Sequence, residues 1–370
     1  MNALNYIGIV TLIYAVLAQL VERLLAKQKA AGSRPAYRTN SIKYPQLNMY
    51  LKIIGLFLIS FLFISCSGSD GSSPQNNNSI IVDNEIKETC LSFGQNTSRC
   101  SFIHDGLERF YLIYKPQSLN EEDVPVLFAL HGYGSSAVTH KSYTGYEQIS
   151  EENKFIVIYP QGYKLESLLV NSSSHWNVGA WTIASQIDDV GFIDTIIDLV
   201  VNKEQVDETR IYSSGMSNGG FMSYHLACNL SRKIAAIASV TGSMSKETLA
   251  DCAPSHPTAI LQIHGLQDLV VPYSGFDDLG MEPIDDVLAY WANLNSCNPE
   301  RLVAVVDYFN EKGSIDFINY ESCMNSVDVR LIRIPSMGHT WPGLNNFNIS
   351  ASEEIWNFLS QFDLNGRINN

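Results

Sequence analysis

Five residues, Gly215, Met216, Ser217, Asn218 and Gly219, stand between a short β-prone run, Thr209 to Ser214, and an apolar stretch from Phe221 to Cys228. This Gly-x-Ser-x-Gly pattern predicts a strand that turns sharply into a helix with the serine at the apex. A serine hydroxyl is a weak nucleophile at neutral pH and needs both exposure and a base. The tight turn supplies the exposure by lifting the oxygen clear of the sheet, and glycine on either side lets strand and helix approach closely. A glycine-rich turn with an incidental serine would give the same five letters, but not the strand before them and the helix after.

From about Glu85 to Phe362, short apolar runs alternate with longer amphipathic ones, which predicts an α/β body: a mainly parallel central sheet with helices on both faces. Strands are expected at Arg109–Tyr114, Pro125–His131, Phe155–Tyr159, Arg210–Ser213, Ala235–Val240, Ala259–His264 and Val329–Ile334. Helices are expected at Ser142–Asn153, Asp189–Val201, Gly219–Leu230, Pro283–Asn295 and Ser352–Phe362. The stretch Arg301 to Ser326 reads as a small strand insertion or part of a cleft wall. In such sheets, catalytic groups collect at the carboxyl ends of the strands.

The formal net charge of −14 argues against a nucleic-acid partner, which would require clustered Lys and Arg. The sequence carries no His-Glu-x-x-His, Cys-x-x-Cys or phosphate-loop motif, so the chemistry is expected from side chains, with no metal and no cofactor.

A serine nucleophile needs a base in hydrogen-bond reach and an acid to orient that base, and in this kind of sheet the acid precedes the histidine along the chain. Asp268 follows the strand ending in His264 and Gly265; His339 follows the strand Val329–Ile334. Asp277, Asp278, Asp285 and Asp286 fall in loop or helix where solvated acids are the default, Asp188 and Asp189 read as helix caps, and Asp194 and Asp198 share a helix face. Of the downstream histidines, His256 and His264 precede the acid, leaving His339 as the base. Two backbone donors are expected to hold the oxyanion, the N–H groups of Asn218 and Tyr133, with His131 bracing the loop that carries Tyr133.

Seven pieces carry a resemblance: Leu130 to Gly134, Tyr159 to Gly162, Trp176 with Asn177, Asp188 to Phe192, Gly215 to Gly220, His264-Gly265 with Asp268, and Gly338 to Gly343. In this order the chain resembles the secreted polyhydroxybutyrate depolymerase and feruloyl esterase-like family of the α/β-hydrolase superfamily. The resemblance implies the α/β-hydrolase fold and a serine carboxylic-ester hydrolase with Ser217, Asp268 and His339 as its triad. It also implies that Trp176 and Trp341 border the substrate cleft. The expected substrates are feruloyl or acetyl esters of polysaccharide, or hydroxyalkanoate esters. A serine peptidase of the same superfamily and a catalytically silent glycan- or partner-binding lipoprotein are the alternatives.

Residues 49–65 have a positive start and an apolar run ending in a small residue before Cys66, which resembles a bacterial lipoprotein signal with Cys66 as the lipidated residue. The expected location is therefore outside the cytoplasm, anchored to a membrane through lipid alone. Residues 66–84, rich in Ser, Gly and Asn, read as a flexible tether, and 85–365 as the catalytic domain. Upstream, Ala18 to Arg23 and Gly32 to Pro35 are what the D-arm and T-loop of a transfer-RNA gene spell in translation, so residues 1–48 read as a mispredicted extension with the true start at Met49. The six cysteines beyond Cys66 are an even number in a chain read as exported, where disulfides persist. Fifteen pairings are open to six cysteines. The expectation pairs neighbours: Cys90 with Cys100, Cys228 with Cys252, Cys297 with Cys323.

Overall fold

The computed structural model describes residues 86–368 apart from 118, 120–122, 165–172, 183–184 and 309–312. The expected signal, the tether at 66–84, Cys66 and the extension before Met49 lie outside the described residues.

In chain order the elements begin with β1 (Thr89–Ser92), β2 (Thr97–His104), β3 (Leu107–Tyr114), β4 (Val124–Leu130), α1 (Ala137–Thr144), α2 (Tyr146–Asn153) and β5 (Ile156–Pro160). A two-residue ladder, β6 (Tyr163–Lys164) with β7 (Ser174–His175), precedes α3 (Asp189–Lys203), β8 (Val206–Met216), α4 (Asn218–Asn229), β9 (Ala236–Val240) and α5 (Lys246–Asp251). Then come β10 (Ala259–Gly265), α6 (Ile284–Leu294), β11 (Arg301–Asp307), β12 (Ser314–Tyr320), β13 (Val329–Ile334), α7 (Leu344–Phe347), α8 (Ala351–Leu359), and the short pair β14 (Phe362–Asp363) and β15 (Gly366–Arg367).

An 11-stranded sheet orders these as β1-β2-β3-β5-β4-β8-β9-β10-β13-β12-β11. The run from β5 to β13 is parallel, and antiparallel strands extend it at both edges. Side-chain alternation explains why helices cover both faces. Along β4, Val126, Phe128 and Leu130 enter one core while Leu127 and Ala129 enter the other. The first core is closed by α3, α4 and α6 through Phe192, Ile196, Phe221, Val287 and Trp291. The second is closed by α1, α2 and α8 through Ala137, Tyr146, Ile355 and Trp356. Each fully buried aliphatic or aromatic side chain here contributes about 1.5–3 kcal/mol.

The seven expected strands are present, β8 reaching back to Val206. The stretch after Arg301 forms the β11–β12 hairpin on the sheet edge, as one of the two readings anticipated. The helix expected at Ser142–Asn153 is instead two: Ser136 caps α1 by accepting from Thr139 N, and Gly145, at φ 63, ends α1 and starts α2. Disulfides join Cys90 to Cys100, Cys228 to Cys252 and Cys297 to Cys323, the neighbour pairing. Among the described residues, no helix is long and apolar enough to cross a membrane.

One acid departs from its expected role. Asp188 does cap α3, accepting from Gly191 N at 2.8 Å, but Asp189 is buried and bonded to Arg109 Nη2 at 2.6 Å. Burial pushes the Asp189 carboxyl above its usual range even though Arg109 and the Asn177 N–H oppose the shift. The pair therefore serves more to fix the Asn177 segment against β3 than to stabilise the fold. Asp189→Ala would strand the guanidinium and is expected to cost about 3–5 kcal/mol in urea denaturation. The double replacement Arg109→Met with Asp189→Leu is expected to recover most of that loss.

Candidate active site

Ser217 sits in the single residue between β8 and α4, with φ 56 and ψ −122. That is a costly conformation for a residue with a Cβ, and it persists only where the surroundings hold it. They do so through Ser217 N–H, which donates to Val240 O at 2.8 Å, and Ser217 O, which accepts from Phe221 N at 3.0 Å. The flanking glycines are a steric requirement. A Cβ on Gly215 would lie 2.9 Å from Gly219 Cα, and one on Gly219 would overlap Leu130 O and come within 2.7 Å of His131 O. The turn is wedged between its own helix and the end of β4.

The end of β4 delivers the loop expected to hold the oxyanion. A Cβ on Gly132 would lie 3.4 Å from Ser217 Cβ, which puts this loop beside the serine. His131 is fully buried; its Nδ1–H donates to Gly132 O at 2.8 Å while its Nε2 accepts from Gly162 N at 2.9 Å. Both bonds require one neutral tautomer, and burial pushes the ring's pKa down to about 4. His131 is thus the brace the sequence suggested. Tyr133, by contrast, is half exposed at the loop's crest.

Asn218, also buried, uses its side-chain amide as a clamp, accepting from Trp176 N at 2.7 Å and donating to Trp176 O at 3.1 Å. The Trp176 indole N–H in turn donates to His131 O at 2.8 Å. This corrects the expectation for Trp176. With no exposed surface it has none to offer a substrate, and it supports the cleft from beneath by fixing both the His131 loop and the start of α4.

Asp268 and His339 come from loops after neighbouring parallel strands, β10 and β13. The loops are bonded to each other by Gln267 N–H to Met337 O at 3.0 Å. Asp268 Oδ1 accepts the N–H groups of Val270 and Val271, each at 2.9 Å, and Oδ2 accepts His339 Nδ1–H at 2.8 Å. Burial works to raise the Asp268 pKa, but the His339 and backbone hydrogen bonds together outweigh it, so the carboxylate stays below its ordinary value. With Nδ1–H committed to Asp268, the Nε2 lone pair of His339 is the one left to take a proton. Buried His264 supports the acid's loop through Nε2–H to Val271 O at 2.9 Å.

His339 lines a cavity of about 430 Å³ together with Met216, the residue before Ser217, and with Trp341, so parts of both arms meet at one pocket. Trp341 also anchors itself by its indole N–H to Ser352 Oγ at 3.1 Å. Tyr143, Leu344 and Asn345 complete much of the wall. The sequence reading missed Tyr143, which belongs to no motif; Asn345, just beyond Gly343, was open to notice.

Of the competing acids, Asp194 and Asp198 hold Lys233, and Asp285 holds Arg301. Among the described residues, one set of potential metal-ligand atoms gathers within 4.8 Å, Glu88 with Cys90 and Cys100, and its two sulfurs are bonded to each other.

Gly219→Ala is expected to destabilise the chain by about 1–3 kcal/mol through overpacking at Leu130 O, read as a lower thermal midpoint. For Asp268 the folded-state pKa is depressed, so its contribution to stability is present above the unfolded value near 3.9 and is lost as pH falls through the lower folded value. Asp268→Asn should therefore flatten the acid limb of stability against pH below about pH 4, measured by denaturation at stepped pH.

A family model described as phospholipase/carboxylesterase matches residues 117–279, a span that includes Ser217 and Asp268. A bifunctional acetylxylan esterase/xylanase of Neocallimastix patriciarum is 24% identical over 71% of this chain and 35% of its own length. Feruloyl esterase B of Piromyces equi is 33% identical over 51% of this chain and 34% of its own length. The chain thus spans about a third of each of these two curated relatives. An acetyl xylan esterase structure from Aspergillus awamori aligns over 74% of this chain and 99% of that one, at 14% identity and a TM-score of 0.49. The parallel sheet, the serine turn between β8 and α4, and the matches to esterase sequences lead to one conclusion: the chain has an α/β-hydrolase fold and is similar in sequence to carboxylic-ester hydrolases.

Proposed function

We propose that the protein is an exported serine carboxylic-ester hydrolase acting on feruloyl or acetyl esters of polysaccharide. The observation that carries this reading is the 2.8 Å bond from His339 Nδ1 to Asp268, on loops at the same sheet edge as the strained Ser217 turn. The names of the relatives, a feruloyl esterase and an acetylxylan esterase, favour these acyl groups over hydroxyalkanoates. Export is supported by the disulfides, which oxidising compartments sustain. In this reading the signal at 49–65 is removed and Cys66 carries the lipid anchor.

In the reaction, His339 Nε2 takes the proton of the Ser217 hydroxyl as Oγ bonds to the ester carbon and the carbonyl π pair moves onto oxygen. The N–H groups of Asn218 and Tyr133 hold that oxyanion, each such donor contributing about 3–4 kcal/mol to the barrier reduction. The 12-residue α4 aims its N-terminus at the same place, adding a favourable partial charge. As the tetrahedral adduct collapses, the C–O bond to the alcohol breaks and the imidazolium protonates the departing oxygen. Water then repeats the sequence on the acyl-serine and releases the acid. Asp268 stabilises the imidazolium and fixes its tautomer throughout. Trp341 lines the wall of the pocket.

The test is turnover of methyl ferulate and p-nitrophenyl acetate by the purified chain. Ser217→Ala and His339→Ala are expected to lose activity to background, and Asp268→Asn to lose roughly 10⁴-fold in kcat. Undiminished hydrolysis by a folded Ser217→Ala variant sinks the proposal.

A further inference from the structure

One buried histidine has no part in the chemistry above, yet stands directly behind the pocket. His140 and Tyr143 lie three residues apart on α1 and so share a face. His140 is completely buried, with its Nδ1 2.6 Å from Tyr143 Oη. Its Nε2 is buried without a hydrogen-bond partner. Tyr143 and Trp341 meet the imidazole edge-on at centroid distances of 5.0 and 5.6 Å, closing it in with aromatic rings.

We propose that Tyr143 donates a hydrogen bond to the leaving alcohol of the substrate, and that His140 is the positioning residue that points that donor into the pocket. The inference rests on the ester-hydrolase reading and names a group in the same site that discriminates among alcohols.

The direction of the bond follows from which nitrogen carries the proton. Burial drives the His140 pKa well down, so the ring is neutral and has a single N–H. On Nε2 that N–H would be buried with no acceptor, at a penalty of about 1–3 kcal/mol. An unused lone pair there is the more tolerable orphan. The proton therefore belongs on Nδ1, which donates to Tyr143 Oη. The tyrosine's own hydrogen must then point elsewhere, and the neighbour in reach is Met216 Sδ at 3.4 Å, a weak acceptor. An oxygen of a bound substrate outcompetes a thioether for that hydrogen.

The pocket's place relative to the chemistry selects the alcohol side. Its wall comes from α1, from Met216 and from the His339 loop, and His339 is the group that protonates the departing alcohol. Aromatic Tyr143 and Trp341 with the amides of Asn345 and Asn346 offer a ring-shaped, hydroxyl-bearing alcohol both apolar surface and hydrogen bonds. A small alcohol such as methanol has no second oxygen to meet Tyr143.

The experiment compares two esters with one acyl group, methyl ferulate and a feruloylated arabinoside, as a ratio of kcat/KM values in the full chain. Tyr143→Phe is expected to lower the ratio of sugar ester to methyl ester about 3- to 10-fold, the range of one neutral hydrogen bond, through KM on the sugar ester. His140→Phe is expected to lower it likewise without touching substrate, and His140→Asn, which restores an N–H near Nδ1, to recover most of it. If His140→Phe does not fold, the contrast between Tyr143→Phe and His140→Asn still decides. An unchanged ratio in Tyr143→Phe, or an equal fall on both esters, overturns the inference. A lowered ratio in Tyr143→Phe with an unaffected folded His140→Phe overturns the role of His140. Wild-type protein inert to both esters overturns the ester-hydrolase reading and this inference with it.

Discussion

The missing Cβ of Gly219 is the constraint on which the site depends. Its Cα stands against the carbonyls of Leu130 and His131, so the start of α4 is pressed onto the end of β4 with no space for a methyl group. That approach sets Ser217 beside the Gly132 loop and forces the serine into its positive-φ conformation. The strain at one residue is offset by packing on every side: Val240 O fixes the serine's amide, and Trp176 ties the two flanking backbones together through His131 O and the Asn218 amide. Interiors packed to crystal-like density transmit such constraints with little slack. A side chain held this way needs no reorganisation to keep its place.

Charge in the site is rationed by the same packing. Three buried histidines, His131, His140 and His264, have pKa values lowered by burial, so each acts as a neutral hydrogen-bonding strut. His339 differs from them in donating its Nδ1–H to the Asp268 carboxylate and in keeping a partly exposed edge. A neutral scaffold around a single carboxylate matters because electrostatic interactions strengthen in a low-dielectric site, and stray charges there would compete with the intended one.

The parts of this arrangement legible in the sequence are those with a local physical signature. Gly215 and Gly219 announce a turn, and strands ending in His-Gly or running to a lone Gly338-His339 mark loop positions at a sheet edge. Neighbouring cysteines found each other because short loops close most easily. Asp189 reads as a cap, since only tertiary packing brings Arg109, 80 residues away, against it. Trp176 reads as a cleft residue because a motif cannot say which face of a loop is buried. The β2–β3 hairpin was open to recognition: Asp105 and Gly106, with φ 49 and 76, make the two-residue turn that Asp-Gly favours. The break between α1 and α2 has a similar signal in Ser136 and Gly145.

The β11–β12 hairpin has a different character from the rest of the sheet. Its outer strand is exposed along its whole length, and its base is closed by the Cys297–Cys323 bridge and by the bond from Asn298 N to Glu321 O at 2.9 Å. The outer strand is held to the rest of the sheet through β12 alone, which stands between it and β13, the strand that leads to His339. The hairpin is an outrigger, one strand removed from the loop that carries His339, so lengthening, labels or grafted loops on its outer strand are expected to leave the Asp268–His339 pair undisturbed.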